Sequence, residues 1–382
     1  MAVCDIINIK YASKALVESC KFIGNDKFDT DAIDYDGISK GKIINNHITG
    51  FFGFNSDGID IGEQASDILI KDNFISNCND KGISIGQASS AIIENNIIVN
   101  CGTGIAIKDT LSYGKIESST FYDNYRDIAC FEKNKGKGGG KADVLNSIFY
   151  NSINSAFYVD SLSSISFNNS ISNTTNLPGK NSFCEPDFKN AGINDFSIKD
   201  LSKCFGSDID SKENIGASLN VNHNKYVIIN EIKYGDAKSK NSQNWVELYN
   251  YSEDTINISG WIFKDMNDKK SYVLPENVYI KPEDYFVICN NIKEFQKNFP
   301  AIKNYVGDFD FNLNNDNEIL RLFDKEYNLV NSFAYKNKSP WPIEDAVKGK
   351  TIELINPKED SSQGSNWKFS KQIGGTPGKS NS

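Results

Sequence analysis

Apolar residues recur along the first half of the chain in two columns that keep step with each other. One reads Ile33, Ile59, Ile83, Ile105 and Ile128, at separations of 26, 24, 22 and 23 residues. The other reads Phe22, Ile48, Ile75, Ile98, Phe121, Phe149 and Ile171. Two columns on one period mean a single unit, repeated. Within each unit the apolar letters alternate with polar ones over short runs, as in "GIDIG" (58–62), "GISIG" (82–86) and "GIAIK" (104–108). That is strand periodicity, with isoleucine inward and its neighbour outward. Units near 23 residues are too short for helix pairs and lack the consensus of leucine-rich repeats. Short strands broken by Gly, Asn, Ser and Asp turns, one winding of chain per unit, predict a parallel β-helix. Successive windings pair at about 4.8 Å, so inward side chains rest on their counterparts and like shapes are selected.

A polar column supports the same register. Asn46, Asn73, Asn96, Ser119, Ser147 and Asn169 fall at equivalent turns, where side chains can bond along the stack and satisfy buried turn backbone. From Lys225 the period ends. Longer alternating runs follow, "YVIINEI" (226–232), "NWVELYN" (244–250), "YFVICN" (285–290) and "EILRLFD" (318–324), with more aromatics and shorter turns. They predict an antiparallel β-sandwich. Trp245 and Trp261 are expected in its core, Trp341 and Trp367 on exposed loops. The chain is therefore read as all-β, with a solenoid over 1–217, a linker over 218–224 and a sandwich over 225–380.

Composition narrows the function. The 382 residues suit two domains, and a hydrophobic content of 39% with 24% charged residues is globular. A formal charge of −9, with Arg126 and Arg321 as the two arginines, argues against a nucleic-acid groove. Eight cysteines show no zinc spacing. Cys20, Cys78, Cys101 and Cys130 read as small buried hydrophobes, while Cys184 and Cys204 could pair in an oxidising compartment. No run of 18 apolar residues exists, so no membrane span is expected. The start lacks the shape of a signal peptide and reads as repeat from about Ile7, which suggests that the natural chain begins earlier. His47 and His223 are the two histidines, one in the Asn-ladder turn and one in the linker, against a Ser/His/Asp site.

The copied windings differ in their charges. One outward column reads Asp34, Asp60, Ser84, Ala106, Ala129, and the column three residues earlier reads Asp31, Asp57, Lys81, Thr103, Arg126. Four carboxylates from two adjacent windings are thus crowded together, and like charges at strand spacing repel. Calcium, which takes six to eight oxygens, would neutralise Asp31, Asp34, Asp57 and Asp60. The competing reading is that these acids accept turn N–H groups or pair with Lys81. A third column, Glu63, Gln87, Asp109, Glu132 and Asp160, reads as turn capping. After Glu132 comes "KNKGKGGGK" (133–141), either a flap over the face or a solvated loop.

Residues 5–217 resemble the right-handed parallel β-helix proteins, the pectate-lyase-like group, on the columns above and on the closing segment 184–217. The segments "NWVELYNYSEDTINISGWIFKD" (244–265), "LPENVYIKPEDYFVICN" (274–290), "SPWP" (339–342), "TIELINP" (351–357) and "GGTPG" (374–378) resemble the lamin tail domain of bacterial secreted and surface proteins. That resemblance implies an immunoglobulin-like sandwich used for attachment to a cell surface or protein partner. The aspartates are similar to those of calcium-dependent family-nine pectate lyases: Asp31 matches the acid of the first binding element, Asp57 and Asp60 the last two of the second. Ser56 stands where that family has a further Asp, and Ser84 and Ala106 where it has its lysine base. Lys81, Lys108 and Arg126 are the candidate bases or neutralisers. The expectation is an extracellular or surface bacterial protein that binds, and as a calcium-dependent lyase would cleave, an acidic polysaccharide. The alternative is a non-catalytic adhesion or scaffold protein.

Overall fold

The computed structural model describes residues 5–200, 204, 215–219, 226–234, 243–267, 269–314, 316–343 and 349–382. Part of the expected linker, 220–224, lies outside them, and His223 with it. The chain divides into two compact units, 1–188 with 196–220, and 189–195 with 221–382. Seven residues that precede the expected boundary, Lys189–Asp195, therefore belong to the second unit. No helix among the described residues is long and apolar enough to cross a membrane.

The first unit is a solenoid of three parallel sheets. Face A contains Ile7–Lys10, Ile33–Asp36, Ile59–Gly62, Lys81–Ile85, Thr103–Lys108, Arg126–Phe131 and Ser155–Val159. Face B runs from Ala15–Glu18 to Ser164–Asn168 in seven strands, and face C from Lys21–Ile23 to Ser182–Phe183 in eight. The isoleucine column stacks as read: Ile33 opposes Ile59, Ile59 Ile83, Ile83 Ile105 and Ile105 Ile128. All five are fully buried, and a winding that changed one of these shapes would leave a void or a clash against both neighbours.

The polar column is a hydrogen-bonded ladder. The backbone N–H of Asn46 donates to Asn73 Oδ1 at 2.9 Å, that of Asn73 to Asn96 Oδ1 at 3.0 Å, and that of Asn96 to Ser119 Oγ at 3.3 Å. At the last winding the expected register is off by one. Ser147 N–H donates to Ser170 Oγ, not to Asn169, and Ile171 opposes Ile148 while Phe149 opposes Ser172. Asn169 instead takes φ +51°, like Asn45, Asp72, Asn95 and Asn146 before it. Both corner positions favour asparagine, one for its left-handed tolerance and one for its amide, so the letter alone could not separate them. Cys20 is also a correction: it is exposed, because it occupies the ladder position of the first described winding. Cys78, Cys101 and Cys130 are buried as expected.

The second unit is a sandwich. A six-stranded sheet orders Tyr305–Gly307, Tyr285–Cys289, Trp245–Asn250, Val227–Lys233, Ile352–Leu354 and Trp367–Phe369. A four-stranded sheet orders Tyr272–Val273, Ile262–Lys264, Asn317–Phe323 and Leu329–Lys336. Ile229, Leu248, Trp261, Phe263, Leu320 and Phe333 belong to one core cluster. Trp341 and Trp367 belong to it too, with ring centroids 5.8 Å apart and Trp367 5.1 Å from Phe333. The expectation that these two are exposed is wrong: their polar neighbours in sequence face away from a core completed by distant strands.

Candidate functional site

Register gathers the four aspartates on face A. Asp34 opposes Asp60 in neighbouring strands, and Asp31 Oδ1 accepts the backbone N–H of Asp57 at 2.6 Å. The second contact is one rung of a ladder. Asp5 Oδ1 accepts the N–H of Asp31 at 3.1 Å, and Asp57 Oδ1 accepts the N–H of Lys81 at 3.0 Å. These acids therefore satisfy strand-start amides of the next winding, the competing role read from sequence. Burial is the main cause that raises Asp31 to about 8, with the charge of Asp57 next. Burial likewise raises Asp34 to about 7, helped by Asp36 and Asp60, and raises Asp57 to about 7 against the pull of Lys81.

Cations enter on the following windings. Lys81 Nζ lies 3.3 Å from Asp57 Oδ1 and also pairs with Asp80. Burial would depress its pKa, but Asp57 and Asp80 outweigh it and hold it raised. Lys108 crosses the open space above Gly86 to reach Ser84 Oγ at 2.5 Å, with Asp60 at 3.8 Å. The Gly-rich insertion supplies a third cation that the sequence left among loop residues. Asp109 Oδ1 accepts the N–H groups of Lys133 and Asn134 at 2.7 and 2.9 Å, and Glu132 Oε1 accepts those of Gly136 and Gly138 at 2.9 Å each. The insertion is thus tied at its root, and Lys133 is brought within the field of the face. Lys108 is the main cause that pushes the Lys133 amine below the usual lysine range, followed by partial burial and Lys81, with Asp60 and Asp57 opposing. The only hint in the sequence was that the insertion begins beside the Asp109 column.

Arg126 stands in the Lys81 column, two strands on through Thr103. Between Asp60 and Tyr158 the outward column consists of Ser84, Ala106 and Ala129, small side chains that are themselves covered and fully buried.

The fit of a calcium ion is limited by these bonds. Asp31 and Asp57 each commit an oxygen to backbone N–H groups, Lys81 sits on Asp57, and Lys108 approaches Asp60. Among the described residues no group of three or more His, Cys, Asp or Glu is placed to hold a metal. Lysines occupy the position of neutralising cations.

Comparison with known families matches residues 5–176 to the right handed β-helix region and residues 220–337 to the lamin tail domain. The chain joins a right-handed β-helix to a lamin tail domain. No curated protein and no solved structure matches it.

The lamin tail domain has a carboxylate cluster of its own. Glu247, Glu231 and Glu353 stand opposite one another in adjacent strands and are all fully buried. Thr351 Oγ1 donates to Glu231 and Asn230 Nδ2 to Glu247, and residues 376–382 supply the other donors. Thr376 N–H reaches Glu231 Oε1 at 2.9 Å, Thr376 Oγ1 reaches Glu353 Oε1 at 2.9 Å, Gly378 N–H reaches Glu247 Oε2 at 2.5 Å, and Ser382 N–H reaches Glu353 Oε2 at 2.9 Å. Gly375, at φ +83°, passes so close to Glu231 that an added Cβ would collide with it. Burial raises Glu231 to about 7 and also raises Glu247 well above its usual range, with Glu231's charge adding to the latter. Sequence reading placed Glu231 and Glu247 on strands without linking them to Glu353, whose strand lies more than a hundred residues further along the chain.

Proposed function

We propose that face A of the β-helix binds an acidic polysaccharide and opens it by β-elimination, with the lamin tail domain as an attachment module outside the cell or at its surface. The observation that carries this reading is the gathering of Lys81 and Lys108 against the Asp57 and Asp60 carboxylates, with Lys133, whose amine Lys108 and partial burial push below the usual lysine range, on the insertion tied to Asp109 beside them. Elimination needs a base for the proton α to a uronate carboxylate and cations that neutralise that carboxylate. Lys133 takes the proton while Lys81 and Lys108 face the carboxylate. The released electron pair forms the ring double bond, and the glycosidic oxygen leaves, taking a proton from Asp34 or from water. The bridge between Cys184 and Cys204, with Cα atoms 5.5 Å apart, fits an oxidising compartment.

A calcium ion is the competing neutraliser, and the registered pair Asp34 and Asp60 is where it would bind, because the raised pKa of Asp34 marks a charge that its surroundings oppose. Incubation with pectate, alginate and a glycosaminoglycan, with calcium or with chelator, should yield the ultraviolet absorbance of an unsaturated product. Lys133→Met should lower the rate by about 10²-fold or more at an unchanged melting temperature. Retardation of the protein in gels cast with these polymers, but without product, would favour the adhesion reading. A calcium-dependent rise in melting temperature that Asp34→Asn removes would assign neutralisation to the metal.

A further inference from the structure

Arg126 has no part in the chemistry just described, yet its setting is unusual for this chain. The protein carries 50 acidic residues against 41 basic ones, and only two of the latter are arginines. None of the ion pairs among the described residues includes Arg126. Its Nε is buried with no hydrogen-bond partner among them. The guanidinium instead lies over the ring of Tyr158, 4.9 Å from its centroid, and 6.0 Å from that of Tyr125. Both tyrosines are solvent-exposed, Tyr125 by 54% and Tyr158 by 44%.

Stacking uses the flat face of a guanidinium and leaves its N–H edges for a planar acceptor. Two exposed tyrosines beside it offer surfaces for the C–H face of a sugar ring, as amphipathic aromatics do at binding sites. Arg126 is two strand spacings from Lys81 on the same face, about 10 Å along the solenoid. We infer that Arg126, Tyr125 and Tyr158 form a carboxylate-recognition subsite: Arg126 clasps the carboxylate of a uronate ring while a tyrosine packs against that ring, one or two rings along the chain from the lysine cluster. The inference rests on the acidic-polysaccharide reading and narrows it to polymers whose carboxylates recur at short intervals.

The test is calorimetric titration of the full chain, made slow by Lys133→Met, with tri- and tetra-galacturonate, with the corresponding mannuronate oligomers, with a sulfated galactan oligomer and with a neutral oligomer of equal length. Arg126→Lys keeps the charge but not the fork and should weaken uronate binding about 10- to 100-fold. Tyr158→Leu should weaken it too, and Tyr158→Phe should not. In the unslowed enzyme, Arg126→Lys should raise KM and leave kcat unchanged, which loss of folding would not do, and melting temperatures should match the parent. Binding that depends on Lys108 but is indifferent to Arg126→Lys overturns the subsite and leaves the functional reading standing. Equal affinity for the sulfated oligomer overturns the carboxylate assignment. A parent chain that binds no acidic polymer or oligomer overturns both.

Discussion

The β-helix and the lamin tail domain both bury carboxylates, and they satisfy them by different means. In the β-helix each acid serves the next winding: Asp5 accepts the amide of Asp31, Asp31 that of Asp57, and Asp57 that of Lys81. Accumulated charge is then met by a cation placed one winding on, so Lys81 sits where the copied letter would be another aspartate. The lamin tail domain keeps Glu247, Glu231 and Glu353 side by side, with no ion pair to any of them among the described residues, and satisfies them with amide and hydroxyl donors from Asn230, Thr351 and residues 376–382. A repeat can alter one winding and pass the correction to the next. A sandwich must solve the problem once, in place. The first arrangement spreads its charges over successive windings of one face and pairs them there; the second satisfies its carboxylates with neutral donors.

The largest expected effect tests the cation. Breaking a buried ion pair leaves an uncompensated charge and typically costs about 3–5 kcal/mol. Lys81→Met should therefore destabilise the β-helix by that order in denaturant titrations followed by circular dichroism. Adding Asp57→Asn removes the stranded charge and keeps an oxygen for the Lys81-position amide, so the double variant should recover most of the loss. A single variant that loses under about 1 kcal/mol would mean that the ladder, and not the lysine, holds Asp57.

What the sequence disclosed follows the same division. The isoleucine columns and the charge edits were legible because stacking forces neighbouring windings to copy one another, and a departure such as Lys81 shows against the copy. The last winding was misplaced by one residue because Asn169 suits the left-handed corner and the ladder equally. Lys133 was missed as part of the face because the insertion breaks the repeat, and its position is set by Asp109 on the preceding winding. In the lamin tail domain no column exists to count. The strand runs of Glu231 and Glu247 were visible, but their meeting with Glu353, and the burial of Trp341 and Trp367, depend on segments far apart in sequence.

The glutamate row predicts a pH response. Glu231 titrates at about 7 in the folded domain against an ordinary 4.5, so the folded state holds a proton that the unfolded chain has released. Its favourable contribution is complete below pH 4.5, falls as pH rises through 4.5 to 7, and is lost above, by on the order of 3 kcal/mol. Glu247, also raised by burial, adds a fall of the same sign. All four tryptophans, Trp245, Trp261, Trp341 and Trp367, lie in the second compact unit, so denaturant melts read by tryptophan fluorescence report on it. Between pH 5 and 8 its stability should drop, and Glu231→Gln should flatten the slope. A parent slope that is already flat would mean that the row carries no protons.

The smallest effect concerns the donors. Thr376 Oγ1 lies 2.9 Å from Glu353 Oε1 and 3.4 Å from Glu231 Oε2, and one hydroxyl proton can serve only one of them. Thr376→Val removes that proton and leaves the Thr376 amide bond to Glu231 in place, so the loss should be about 1–2 kcal/mol. The sign of its pH dependence separates it from a packing effect. A hydroxyl donor stabilises an ionised carboxylate more than a protonated one, and the Thr376 hydroxyl lowers Glu231 against burial, so the variant should lose more at pH 8, above the Glu231 value of about 7, than at pH 5. Equal losses at both pH values would place the role of Thr376 in shape alone, and the contrast with the lysine-compensated face of the β-helix would then rest on burial and not on donors.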